Sequence, residues 1–241
     1  MRNNRNQLVG DYAQHYRRIN YTLDVCKRSR AEIGMMDRTF GAVLRAAPQG
    51  ARILDLGCGV GFLLHWLSRF SGITAIGVDA SVTQLEIARH NLPDLEIVCA
   101  DGLEYLHNHE NSFDGIFCTD VLEHIPGIDL CIEWVRAAKA SLRSGGFFVC
   151  RCPNAANLTN GFCRYIDLTH ERSFTEKSIL QLLNAGGFED ARVLPIRAGS
   201  FSGLTRQLIE RNLHRLIYGI CGQRGIQEFA YNVCAVGYRR D

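Results

Sequence analysis

The apolar positions of this chain first follow a helical period, then alternate between short strand-like runs and helical stretches. Over residues 11–47, Tyr12, Tyr16, Ile19 and Leu23 recur at near-helical spacing, and Phe40, Val43 and Leu44 do so later. Pro48-Gln49-Gly50 closes that segment. The next hundred residues predict strands near 52–56, 74–79, 95–99, 114–119 and 146–151. Helices are predicted between them, near 60–70, 81–91, 102–107 and 129–142. Such alternation implies parallel strands joined by right-handed crossovers, hence an open, doubly wound α/β sheet with helices on both faces. Ile53-Leu54, Ile73 to Val78 and Gly115-Ile116-Phe117 are apolar without alternation, as strands covered on both faces should be.

Residues 153–173 lack clear periodicity, and a connection of that length in a compact domain favours a functional loop. A helix follows at about 175–186, capped by Thr175 ahead of Ser178 and ended by Gly186-Gly187. A strand is predicted near 188–197 and a last one near 230–238. Between them, 203–221 reads as an amphipathic basic helix, with Leu204, Leu208, Leu213, Leu216, Ile217 and Ile220 against Arg206, Arg211, His214 and Arg215. Repeats, low complexity and linkers are lacking, so 1–241 is read as a single domain.

Composition adds mostly exclusions. The 241 residues are 46% apolar and 22% charged, with a formal charge of +2, so bulk charge does not point to nucleic acid. The ten cysteines are scattered through apolar patterns and form no CxxC pair. Cys150-Arg151-Cys152 puts two thiols on one strand face without a second ligand pair. No disulfide framework and no metal are expected, and a reducing, cytoplasmic setting fits. The first seven residues are polar and lack the apolar core of a signal peptide. No apolar run approaches the roughly 18 residues that a membrane span needs.

The chemistry concentrates where the strands end. Ile53-Leu54-Asp55-Leu56 runs into Gly57-Cys58-Gly59-Val60-Gly61, and an apolar helix begins at once. Alternate glycines let the backbone take positive φ and let a ligand approach without meeting a Cβ. Asp79 closes Ile76-Gly77-Val78-Asp79, and Asp101 closes Ile97-Val98-Cys99-Ala100-Asp101. These ends should line one edge of a parallel sheet, where open α/β sheets bind ligands. A carboxylate at Asp79 can accept from ribose hydroxyls, and one at Asp101 from an adenine amino group, so the ligand should contain a nucleoside. Each acid alone could instead be a helix N-cap.

Leu54-Asp55-Leu56-Gly57-Cys58-Gly59-Val60-Gly61 resembles motif I of the class I S-adenosylmethionine-dependent methyltransferases. Gly77-Val78-Asp79-Ala80-Ser81 is similar to their ribose-binding strand end. Phe113-Asp114-Gly115-Ile116-Phe117-Cys118-Thr119-Asp120-Val121-Leu122-Glu123-His124-Ile125 resembles their fourth motif, beneath the methyl donor, and Leu142-Arg143-Ser144-Gly145-Gly146-Phe147-Phe148-Val149 the turn and strand that follow. The resemblance implies a seven-stranded, mostly parallel, Rossmann-like sheet with its last strand antiparallel. It divides the chain into an N-terminal helical cap (1–47), a cofactor-binding core (48–152) and an acceptor side (153–241) that carries a C-terminal helical insertion. It implies that S-adenosyl-L-methionine is bound by Asp55, Gly57, Gly59, Gly61, Asp79, Ala80, Asp101, Gly102 and Asp120, with Tyr16 of the cap as a further contact.

The acceptor must be read from the extra segments. Arg164-Tyr165-Ile166-Asp167-Leu168-Thr169-His170-Glu171-Arg172-Ser173-Phe174-Thr175 resembles a stretch of bacterial methyltransferases of surface-polysaccharide and sugar biosynthesis, as does Leu182-Leu183-Asn184-Ala185-Gly186-Gly187-Phe188. That resemblance implies O-methylation of a sugar or glycan intermediate. Another small molecule, such as a quinone precursor or secondary metabolite, is the alternative. A sugar hydroxyl needs a base, for which His170 is the first candidate, His124 the second, and Glu171 a neighbouring acid. Either histidine could instead bond a backbone group and shape the loop. The basic helix at 203–221 suits three roles: holding an acceptor phosphate, lying on an anionic membrane, or presenting an ordinary solvated face. A nucleic-acid substrate is disfavoured, because Asp120-Val121-Leu122-Glu123 stands where a base-stacking Asn/Asp-Pro-Pro-Tyr/Phe run would be.

Overall fold

The structure is a computed structural model and describes residues 23–27 and 30–240. In chain order it runs α1 (Arg30–Thr39), α2 (Gly41–Arg45), β1 (Ala51–Leu56), α3 (Phe62–Leu67), β2 (Ile73–Asp79), α4 (Val82–Asn91), β3 (Glu96–Cys99) and α5 (Gly102–His107). It continues with β4 (Phe113–Thr119), a 3-10 turn (Leu122–His124), α6 (Ile128–Ser141), β5 (Leu142–Pro153), α7 (Gly161–Ile166), α8 (Glu176–Ala185), β6 (Arg192–Val193), α9 (Phe201–Ile220) and β7 (Asn232–Tyr238). Of the helical cap read over 11–47, α1 and α2 are present; the part before Leu23, with Tyr16, lies outside the described residues.

Among the described residues seven strands form one sheet in the order β3-β2-β1-β4-β5-β7-β6. Strands β1 to β5 are parallel, and β7 runs antiparallel to β5. The order reverses direction between β1 and β4, which makes their carboxyl ends the topological switch point where such sheets bind ligands. Alternate residues of β1 serve opposite faces. Leu54 and Leu56 pack with Tyr105, Leu106, Val135 and Leu183 on the α5–α6–α8 side. Ile53 packs with Phe40, Leu63, Trp66 and Leu85 on the other side, under α1, α3 and α4. There Trp66 meets Phe40 and Phe117 edge-to-face at centroid distances of 6.0 and 6.2 Å.

Three departures from the sequence expectation have physical causes. The strand expected over 188–197 is only two residues of an edge strand. After Leu194 donates to the Cys234 carbonyl at 2.8 Å, Pro195 has no N–H to extend the ladder. The aperiodic 153–173 segment is ordered by buried asparagines. The Asn154 side-chain amide donates to the carbonyls of Glu228 and Ala230, that of Asn157 to Phe229, and that of Asn160 to Tyr231. Helix α9 buries only His214 and leaves Phe201, Ile209, Leu216 and Ile220 exposed, so most of its large apolar residues do not face the core. The Thr175 cap is as expected: its hydroxyl accepts from the Ser178 N–H at 3.2 Å, and the Ser178 hydroxyl accepts from the Thr175 N–H at 2.9 Å.

A hydrogen bond and a close backbone approach help to fix the cap. The Trp66 Nε1–H donates to Asp37 on α1 at 2.8 Å. Gly199, just before α9, lies backbone to backbone against α1, where a Cβ would overlap the Ala31 carbonyl oxygen and approach the Met35 nitrogen at 2.5 Å. Gly199→Ala is therefore expected to destabilise the fold by about 1–3 kcal/mol in urea unfolding, because two backbone segments must part. An unchanged midpoint would show that this contact is not tight.

Candidate functional site

A cleft of about 450 Å³ opens at the carboxyl ends of β1, β2, β4 and β5. Its floor is the turn after β1. The N–H groups of Gly57 and Cys58 both donate to the Val78 carbonyl, at 2.7 and 3.0 Å, which bends the chain across the end of β2. Gly57, Gly59 and Gly61 take φ of +80°, +53° and +92°, a region that side chains rarely enter. The Asp79 carboxylate braces this turn: one oxygen accepts from the Gly59 N–H at 2.9 Å, the other from the Ser81 N–H at 2.8 Å. Burial pushes its pKa up, and those backbone hydrogen bonds hold it back.

Asp55 sits deeper. It is fully buried in the wall, and neither carboxylate oxygen has a hydrogen-bond partner. Burial, followed by the Asp79 charge, raises its pKa to about 8. A buried acid of this kind favours a cationic ligand atom beside it. Asp101 does both things its position allowed. One oxygen caps α5, accepting from the N–H groups of Leu103 and Glu104 at 3.0 Å, and the residue also lines the cleft. Ala80, Gly102, Asp120 and His124 line it too. Gly61 does not; it starts α3, where a Cβ would come within 2.8 Å of Leu92.

Asp120 takes φ of +59°, unusual for a residue with a side chain, and is ion-paired with Arg151 at the end of β5 (Nε to Oδ1, 3.1 Å). Sequence reasoning missed Arg151, although an arginine inside the apolar run Phe147–Cys152 was the available signal. It also missed Trp134 of α6, whose ring lies against the Cβ-less Gly102. Arg151, with Met35 and Asn232, also lines a second cavity of about 230 Å³. Arg206, Gln207 and Glu210 of α9 close its far side, so the basic helix borders the space next to the main cleft.

The two candidate histidines meet. The Glu171 N–H donates to the Glu123 carbonyl at 2.7 Å, and Arg172 donates to the Ile125 carbonyl at 2.9 Å, pinning the loop onto the turn after β4. The rings of His124 and His170 stand 4.6 Å apart, centroid to centroid. Asp167 accepts from the hydroxyl and the N–H of Thr169, at 2.7 and 2.8 Å. With its proton given to Asp167, the Thr169 oxygen accepts from His124 Nδ1 at 2.8 Å. Burial would raise the Asp167 carboxyl, but the two Thr169 bonds and the nearby histidines bring it below its ordinary value. The His170 Nδ1 donates to the Cys163 carbonyl at 3.0 Å. Both rings thus carry a proton on Nδ1. His170 and Glu171 lie outside the wall of the cleft, and Glu171 is exposed.

A switch-point cleft with a braced glycine turn and acids at successive strand ends defines a nucleoside-binding α/β protein. Residues 32–193 match the family model described as a methyltransferase domain, and the chain belongs to that family. The chain thus carries a methyltransferase domain. The chain is 39% identical over 99 residues to a ubiquinone biosynthesis O-methyltransferase of Chelativorans sp., a match that covers 39% of each protein. It is 36% identical over 112 residues to one of Mesorhizobium japonicum, covering 44% of this chain and 43% of that protein. The matched stretch therefore spans less than half of these curated relatives. Among solved structures, an S-adenosylmethionine-dependent methyltransferase of Archaeoglobus fulgidus superposes with a TM-score of 0.67 at 20% identity, covering 95% of this chain and 99% of that one. Phosphoethanolamine N-methyltransferase 2 of Haemonchus contortus, in complex with S-adenosyl-L-methionine, gives 0.59 at 18%, covering 85% and 53%. These structures share the fold.

S-Adenosylmethionine carries a cationic amino group, and the partnerless Asp55 carboxylate fits it. The sign of the pH effect follows. Between about pH 4 and 8 the folded apoprotein holds on Asp55 a proton that the unfolded chain has released, so Asp55 lowers stability as pH rises through that window. A bound ammonium beside Asp55 would favour the carboxylate and expel this proton. Affinity should rise with pH up to about 8, approaching tenfold per unit well below it. Asp55→Asn should weaken binding and flatten the profile in calorimetric titrations. A wild-type Kd that ignores pH would exclude Asp55 as the cation's partner.

Proposed function

We propose that the protein transfers the methyl group to a hydroxyl of a small aromatic acceptor of the quinone-precursor kind. The observation that carries this reading is His124, held through Thr169 by Asp167 in the wall of the cleft. The names of the curated relatives support the same acceptor class. The sequence resemblance ranks a sugar or glycan first and a quinone precursor second; the comparisons favour the reverse order.

Proton affinities point the same way. A phenol ionises near pH 10 and an imidazolium near 6.5, so moving the proton to histidine costs about 5 kcal/mol. An alcohol nearer to water, at about 15.7, would cost on the order of 12 kcal/mol. One imidazole can serve the first task much better than the second.

In the reaction the acceptor hydroxyl gives up its proton, assisted by His124. The oxygen lone pair forms the new O–CH₃ bond as the S–CH₃ bond breaks. The bonding electrons stay on sulfur, and neutral S-adenosylhomocysteine is the product. Much of the rate comes from holding oxygen, carbon and sulfur in line. The residues that fit S-adenosylmethionine are Asp55 for the amino group, Gly57 and Gly59 for the methionine portion, Asp79 and Ala80 for the ribose, and Asp101 with Gly102 for the adenine. Arg151 and Asn232, shared with the smaller cavity, suit the acceptor.

A donor-turnover assay across dihydroxybenzenes, hydroxybenzoates, nucleotide sugars and free glycans tests the reading. Turnover on the phenols alone is expected, and turnover on sugars alone would overturn it. His124→Ala should lower kcat by about 10²–10⁴-fold while leaving the Kd for S-adenosylmethionine nearly unchanged.

The outward apolar residues of α9 favour one role for that helix, contact with an anionic membrane surface. Phe201 and Ile220 are 87% and 78% exposed, and the helix carries the exposed arginines Arg206 and Arg215. No helix among the described residues is long and apolar enough to cross a membrane. At low salt the protein should float with vesicles containing phosphatidylglycerol, and Ile209→Glu with Leu216→Glu should keep it in the bottom fraction.

A further inference from the structure

We propose that Glu123, His124 and His170 form a binding site for a divalent first-row transition cation. A carboxylate oxygen of Glu123 and one ring nitrogen of each histidine all lie within 4.8 Å of one another, close enough for a single ion to gather them. The second observation is independent. Glu123 is 1% exposed, and its Oε2 has no hydrogen-bond partner. An orphaned carboxylate oxygen in the interior costs free energy that coordination would recover.

The surroundings of the histidines fit the same assignment. Each ring has its Nδ1 proton engaged by an oxygen, Thr169 for His124 and the Cys163 carbonyl for His170. Such bonds orient imidazole ligands, and the atom that each ring would offer a metal is Nε2. Two imidazoles with one carboxylate suit zinc, iron, manganese or cobalt better than calcium or magnesium, which prefer oxygen throughout. Three protein ligands leave positions open for a further oxygen.

Because His124 lines the cofactor cleft, an ion held here borders the space in which methyl transfer occurs. It would hold an acceptor oxygen and lower the cost of losing its proton. In that case His124 assists ionisation as a ligand. This last role rests on the proposed acceptor, but the ion site does not. No local motif announces the site: Glu123 and His124 are neighbours after β4, whereas His170 comes from the loop that the buried asparagines order.

Titration of the tag-free full chain with Co²⁺, followed by visible absorption and calorimetry, tests the site. One saturable Co²⁺ per chain is expected, displaced by Zn²⁺. Glu123→Gln and His170→Ala should each weaken Co²⁺ binding roughly tenfold or more. S-Adenosylmethionine affinity, unchanged in the variants, serves as the check on folding. His170→Ala changes a half-buried loop residue, so the test survives if the buried Glu123→Gln fails to fold. No saturable Co²⁺, or binding unaltered in a folded variant, would overturn the site. Co²⁺ binding together with no turnover on any phenol would keep the site and remove the acceptor reading.

Discussion

Everything at the sheet edge depends on the Asp79 carboxylate holding the glycine turn. Three residues in that turn have positive φ, and within it the Gly61 N–H donates to the Cys58 carbonyl at 2.9 Å. Asp79 supplies the fixed point, because its two oxygens hold the Gly59 and Ser81 amides at once. One side chain thereby joins the end of β1 to the start of α4. It remains able to accept further hydrogen bonds, since each carboxylate oxygen has more than one acceptor direction. The turn is preorganised before any ligand arrives, which removes part of the ordering cost from binding.

The core was legible in the sequence because periodicity and strand-end chemistry agree there. Ile53-Leu54 and Ile73 to Val78 could only be strands covered on both faces, and the register of Leu56 with Val78 puts their ends side by side. The later residues were harder to read because their structure rests on contacts between distant segments. Asn154, Asn157 and Asn160 look like loop polarity in sequence, yet they tie the loop to 228–231. Arg151 is hidden between two cysteines, and its meaning comes from Asp120 just past the end of the neighbouring strand. The pairing of His124 with Thr169 joins segments that the sequence gives no reason to bring together.

The histidine readings illustrate the same limit. The backbone-bonding expectation has a counterpart at His170. His170 does bond a backbone carbonyl and shape the loop, while its ring faces His124. His124 lines the cleft, so the second of the two candidates has the better position. In α9 the helical period was clear, but the side of the helix that meets the protein was not. Only His214 is buried, through the bond it accepts from the Leu158 N–H at 3.0 Å.

The charge of the cleft carries a consequence for turnover. Glu32, Asp55, Asp79, Asp101 and Asp120 line it, and Arg151 is the one arginine or lysine among the described lining residues. The methyl donor enters with a sulfonium and an ammonium; after transfer the sulfur is neutral. A low-dielectric cleft of negative sign therefore holds the spent molecule less firmly than the fresh one. Loss of a positive charge in the chemical step becomes a built-in exchange signal, favouring departure of product and re-entry of donor.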